Sequence, residues 1–139
     1  MRCSAWQLLT TAILLLPACG DETPFSPTPE NVAGSYQATT LTATQAGITL
    51  NLLQLGSSIS LVMNQDGTTS GRLLAPGQGD NGEDIDADLT GTWTLQGSTV
   101  TFDQPGDTFI RDVPFSVSHN RLSAEGIFDG NTIAVVLTK

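Results

Sequence analysis

In GTWTLQGSTVTF, residues 91–102, apolar and polar side chains alternate with a period of two. Trp93, Leu95, Val100 and Phe102 alternate with threonines. Successive side chains of a strand point to opposite faces, so the pattern predicts a half-buried hairpin with a threonine outer face. A two-residue turn at Gln96-Gly97 pairs Trp93 with Val100. The run PFSVSHNRLSAEGIFDGNTIAVVLTK carries the same logic forward. A turn at His119-Asn120 pairs Val117 with Leu122 and Phe115 with Ala124. A turn at Asp129-Gly130 pairs Gly126 with Ile133, Ala124 with Val135 and Leu122 with Leu137. Both turns place the same residues on one face, which makes the register self-consistent. In SISLVMNQDGTTSGRLL, a three-residue loop at Gln65-Asp66-Gly67 sets Ile59, Leu61 and Met63 opposite Leu73, Gly71 and Thr69.

Strands are therefore predicted near 33–44, 57–64, 68–75, 88–95, 98–103, 108–118, 121–128 and 131–138. The segment Ile48–Leu55 reads either as a strand, through Ile48, Leu50 and Leu52, or as a helical turn. Pro114 predicts an edge or a bulge in its strand, and an open edge would suit strand addition by a partner. Arg111 falls on the outer face of that strand or pairs with a loop acid. No long amphipathic helix is visible. Eight or nine antiparallel strands with short turns make an all-β fold, an up-and-down barrel or a sandwich. The apolar row includes Tyr36, Leu61, Met63, Trp93, Phe102, Phe115 and Phe128. Ile59, Leu73, Leu95, Val100, Val117, Leu122, Ile133, Val135 and Leu137 fall on the same side. A small barrel is filled by such side chains or holds one small ligand among them. Gly71 and Gly126 on that face leave room or let strands bend.

The amino terminus follows a different pattern. Arg2 precedes an apolar stretch from Leu8 to Ala18, shorter than the roughly 20 residues that span a bilayer. A charged start, a short apolar core and a small residue before a cut are the layout of a secretory signal. Leu16-Pro17-Ala18-Cys19 resembles the lipobox of bacterial lipoproteins. The resemblance implies cleavage before Cys19 and a diacylglycerol on its sulfur. Gly20, rather than aspartate, follows the cysteine, which by resemblance points to the outer membrane of the cell envelope, facing the periplasm. Two acyl chains give stable attachment without a spanning segment. Cys3 would leave with the signal, so the mature chain has neither a free thiol nor a disulfide. The organisation expected is a signal peptide at 1–18, a lipidated cysteine and proline-rich linker at 19–31, and a barrel domain at 32–139. The stretch GDETPFSPTPEN reads as a semi-rigid tether reaching up to roughly 35 Å.

A second resemblance lies in VAGSYQATTLT, in LVMNQDGTTSG and in the Gly91-Thr92-Trp93 opening of GTWTLQGSTVTF. These resemble the strands of small bacterial lipocalin-like domains. The resemblance implies an antiparallel barrel open at one end, in a family whose members often bind apolar molecules. It carries no ligand residues over, because such pockets share no residue motif.

Charge narrows the partners. All fourteen acids lie beyond Cys19, with four basic residues, Arg72, Arg111, Arg121 and Lys139. The resulting net charge of −10 disfavours nucleic acid and anionic lipid surfaces and permits cationic partners. The loop PGQGDNGEDIDAD concentrates acids, and Asp80, Glu83, Asp84, Asp86 and Asp88 are the calcium candidates. Their order fits neither an EF-hand nor a glycine-rich calcium repeat, so a solvated loop at a barrel mouth is the favoured reading. His119 is the sole histidine and has no second histidine or cysteine for a transition metal. It also has no nominated nucleophile or orienting acid, and Asp103, Asp107 and Asp112 read as a polar rim. No catalytic residue, cofactor or resident metal is therefore assigned. The reading is a non-catalytic envelope lipoprotein with a small-molecule-binding or scaffolding barrel. The alternatives are a protein-binding module, such as an inhibitor of a cationic hydrolase, and a calcium-binding envelope protein.

Overall fold

The computed structural model describes residues 24–139. The expected signal segment, Cys19 and the start of the linker lie outside the described residues. The strands are β1 (Gly34–Gln45), β2 (Ile48–Asn51), β3 (Ser58–Met63), β4 (Thr68–Ala75) and β5 (Ile85–Asp88). They continue as β6 (Gly91–Gln96), β7 (Thr99–Asp103), β8 (Phe115–Ser118), β9 (Arg121–Phe128) and β10 (Asn131–Thr138). Two short helices, α1 (Pro29–Val32) and α2 (Phe109–Asp112), complete the set. The sheet runs β10-β9-β8-β7-β6-β4-β3-β1, and β1 pairs back onto β10. This is the expected all-β, up-and-down antiparallel barrel, closed with eight strands. Closure removes the open edges that a sheet otherwise exposes.

The two remaining strands extend the barrel toward one rim. β5 pairs with β4 from Arg72↔Asp88 to Ala75↔Ile85, and β6 pairs with β4 at Thr69↔Gly91 and Thr68↔Thr92. Both keep one register, and Leu89 bridges them by donating its N–H to the Gly71 carbonyl at 3.0 Å. The strand expected at 88–95 is thus two strands, interrupted at Leu89-Thr90. β2 pairs with the far half of β1, whereas β3 pairs with its near half. The ambiguous segment 48–55 resolves into β2 followed by turns.

The register of β3 on β4 is the expected one, with Ile59↔Leu73, Leu61↔Gly71 and Met63↔Thr69. So are Val117↔Leu122 and the whole β9–β10 ladder from Gly126↔Ile133 to Leu122↔Leu137. The β6–β7 turn is corrected. Trp93 pairs with Phe102 and Leu95 with Val100, because the turn residues are Gly97-Ser98. Gly97 has φ +60°, the positive angle a II′ hairpin turn needs at its first central position. The slip is two residues, so every side chain keeps its expected face.

β1 holds a bulge. Ala38 faces Leu137 but Thr40 faces Val136, which leaves Thr39 over. The extra residue shifts the parity, so Tyr36 and Ala38 face inward before it and Leu41 and Ala43 after it. The segment 108–118 is also corrected. Residues 109–112 form a helical turn, and only 115–118 are a strand. Phe109 and Ile110 are both buried, although adjacent residues of a strand would face opposite ways. Pro114 stands between α2 and β8, and β8 is paired on both sides by β7 and β9, so it is no edge. Arg111 pairs with Asp107 and Asp112 at the surface.

Tyr36, Leu61, Met63, Trp93, Phe102 and Phe115 are buried in the interior. Phe102 and Phe115 meet edge-on with centroids 5.4 Å apart, a favourable aromatic geometry. Toward the rim reached by β2 and β5, Ala43 and Ala75 are small inward positions among larger apolar neighbours.

Candidate functional site: the barrel mouth

The two ends of the barrel differ. The base is sealed by residues 25–33, which the linker reading had expected to be extended up to residue 31. Thr28 and Asn31 instead close a capping box, with Thr28 N–H on Asn31 Oδ1 at 2.7 Å and Asn31 N–H on Thr28 Oγ1 at 3.3 Å. The following turn drives Val32 into the barrel, where it is fully buried. Tyr36 donates its hydroxyl to the Val32 carbonyl at 2.6 Å. Lys139 Nζ donates to the carbonyls of Asn31 and Ala33 at 2.6 and 2.8 Å, and sits 5.5 Å from the Tyr36 ring centroid. Burial pushes the Tyr36 phenol up to about 12. His119 meets Phe25 edge-on at 5.7 Å, a packing contact.

The other end opens into a cavity of about 200 Å³. Its floor and walls are Leu41, Ala43, Leu52, Leu73, Ala75, Ile85, Phe109, Phe128 and Ile133. The alanines leave the space that larger side chains fill lower down. Phe109 reaches the cavity because α2 folds inward there, and it meets Phe128 edge-on at 6.4 Å. Gly126 lets Val113 pack behind this pair, since a Cβ on it would lie 2.9 Å from Val113 Cγ2. Above the cavity, the β1–β2 hairpin continues the apolar wall. Leu50 is opposite Ala43, which is opposite Ile133, so all three share the inner face. Ile48 follows on the same face, 67% exposed.

The rim is polar and acidic. Gln78, Asp80, Asp107, Thr108, Asp129 and Asn131 line it. Asp107 pairs with Arg111, whereas neither Asp80 nor Asp129 joins an ion pair among the described residues. Thr108 holds the N-cap position of α2, yet its hydroxyl caps no backbone N–H. It is 3% exposed, and its Oγ1 has no hydrogen-bond partner. A threonine at that position ordinarily accepts from the first turn, and a buried hydroxyl without a partner is costly.

Of the apolar residues singled out from sequence, Leu73, Phe128 and Ile133 line the cavity. Tyr36, Leu61, Met63, Trp93, Phe102 and Phe115 form the filled interior beneath it. Leu41 and Phe109 escaped the alternation because a bulge and a helix position them, and Leu52, which the strand reading of segment 48–55 included, sits in the turn after β2. The calcium candidates do not converge. Asp84 accepts the Gly77 N–H at 2.9 Å. Asp86 is paired with Arg72 at 2.6 Å, a hydrogen bond that lowers its carboxyl below the usual range. Asp88 accepts the Thr90 N–H at 2.7 Å and is lowered by its hydrogen bonds with Thr90. Among the described residues, no three metal-ligating side chains gather. No protein-family model, curated protein or solved structure matches this chain.

Proposed function

We propose that this chain is a lipid-anchored protein of the bacterial cell envelope, held through Cys19, whose barrel holds a small molecule at its mouth and performs no catalysis. The observation that carries the ligand reading is the mouth cavity, with its apolar floor above a filled interior. Ligand sites are typically concave and mostly apolar with a few placed polar groups, and this one has that composition. The anchoring half rests on Leu16-Pro17-Ala18-Cys19 and the short apolar segment before it.

The two halves fit each other sterically. The described chain enters the barrel at the base, and only a few residues separate Cys19 from Phe25, which packs there. At no more than about 3.5 Å per residue, an anchor on Cys19 keeps the base near the bilayer and turns the mouth away from it. The outer membrane is the destination that Gly20 favours.

Native mass spectrometry of the protein released from its membrane tests the ligand reading. A small molecule that co-purifies with the native protein is the expected result, and a bare protein mass would sink the ligand reading. Cys19→Ser tests the anchor. The variant should lose its lipid mass and leave the membrane fraction. A variant that stays membrane-bound at unchanged precursor mass would sink the lipoprotein reading.

A further inference from the structure

We infer that the outer wall formed by β8, β9 and β10 is a contact face for a second copy of this chain, related by a twofold axis at Ser123. The inference is independent of what the mouth holds.

Charge carries it. From Cys19 onward the chain has fourteen acidic and four basic residues, so two copies repel in most orientations. Eight of the fourteen acids lie between Asp80 and Asp112, in β5, β7 and the segments flanking them. The wall made by β8, β9, β10, β1, β2 and β3 is the exception. Its strands hold two charged residues, Arg121 and Glu125, and these are of opposite sign.

Both are uncommitted. Arg72 and Arg111 are in ion pairs and Lys139 is bound to the base, whereas Arg121 and Glu125 join no ion pair among the described residues. Leu122 is buried inward, so Arg121, Ser123, Glu125 and Ile127 form the outward row of β9. About 13 Å of strand separates Arg121 from Glu125, which keeps them from pairing within one chain. They are placed symmetrically about Ser123. A copy turned by 180° about an axis perpendicular to β9 at Ser123 sets Arg121 against the partner's Glu125, and Glu125 against the partner's Arg121. The contact is isologous and closes as a dimer.

The relief of the wall suits this approach. A shallow groove of about 380 Å³ crosses it, lined by Pro114, Ser116, Ser123, Ala134 and Val136 among others. Ser123 is opposite Ser116 on one side and Val136 on the other, and Glu125 is opposite Ala134. Small side chains at the axis let two sheets come near the roughly 10 Å spacing of stacked sheets, which Arg121 and Glu125 together span. Ile127, 78% exposed at the end of the same row, is then covered by the β8–β9 turn of the second copy.

The test is disulfide capture in extracts of cells expressing the full chain. Ser123→Cys places a thiol at the axis, so oxidation should join two copies. The parent chain and Thr94→Cys, an exposed position on β6, give the background. In the Ser123→Cys chain, Arg121→Glu sets acid against acid and should lower the dimer yield roughly tenfold. Glu125→Arg should lower it likewise. The double exchange Arg121→Glu, Glu125→Arg should restore the dimer, because both pairs re-form with their signs reversed. A yield at Ser123→Cys no higher than at Thr94→Cys overturns the inference. So does a yield indifferent to the single exchanges, or one that the double exchange fails to restore. A disulfide to a different protein in place of the dimer gives the wall to another partner and overturns it as well.

Discussion

The Tyr36 hydroxyl and the Val32 carbonyl are 2.6 Å apart, and both residues are buried where the chain enters the barrel. Tyr36 is the only tyrosine, so its titration can be read directly in the near-ultraviolet absorbance. Burial raises the phenol from 10.0 to about 12, which means the folded protein holds this proton more tightly than the unfolded chain. The stabilisation is complete below the unfolded value of 10.0 and is lost as pH rises through the folded value of about 12. Over that window, denaturant midpoints should fall by the equivalent of about 2–3 kcal/mol. Tyr36→Phe should remove the pH effect and cost about 1 kcal/mol at neutral pH. A phenol titrating near 10 in the folded protein would mean the base is open.

Lys139 makes a second prediction at the same end. Its ammonium bridges two carbonyls of the α1 segment, whereas its stem lies against Gly34. Lys139→Met keeps the stem and removes the donors. The segment 24–33 should become susceptible to limited proteolysis, with Trp93 emission unchanged. Equal protease resistance in the variant and the parent would show that the bridge is dispensable.

Two glycines separate strain from collision. Gly97 has φ +60° with nothing within 4 Å of a Cβ, so Gly97→Ala should cost about 1–2 kcal/mol, read by urea unfolding. Gly71 has φ +145°, and a Cβ there would lie 2.0 Å from the Ser60 carbonyl oxygen. That atom is backbone of the paired strand and cannot move aside. Gly71→Ala should therefore cost clearly more than Gly97→Ala, beyond the roughly 1–3 kcal/mol of backbone strain alone. Similar losses for the two would argue against close approach of β3 and β4 at Leu61↔Gly71.

Thr108 offers a stability test distinct from ligand binding. Because its hydroxyl makes no hydrogen bond, Thr108→Val removes an unsatisfied buried group at nearly constant shape. The variant should gain about 1 kcal/mol and melt roughly 4–8 °C higher. A destabilised variant would mean that the hydroxyl has a protein partner.

Turn chemistry and alternation made most of the barrel legible in the sequence. Gln65-Asp66-Gly67 and Asp129-Gly130 set two ladders residue by residue, because a turn with positive φ admits few alternatives. Asp129 and Gly130 indeed have φ +48° and +76°. The Gln96-Gly97 turn was misplaced because glycine suits either central position, and alternation is blind to a slip of two. Period-two reasoning also failed where backbone departs from the strand. Thr39 shifts parity within one strand, and Phe109-Ile110 buries two neighbours on a single helical turn. The mouth was legible only in part: alternation placed Leu73, Phe128 and Ile133 inward, whereas Leu41 and Phe109 depend on a bulge and a helical turn.

The β1–β10 seam joins residues from opposite ends of the domain, from Gln37↔Thr138 to Thr44↔Thr132. A ribosome delivers Gln37 long before Thr138, so the emerging chain lacks the partner that closes its first strand. Closure must await nearly complete synthesis, and contacts this distant in sequence form slowly. Until then the edge of β1 that faces β10 stays unpaired, so a chain that stops short of β10 leaves the barrel open along that seam.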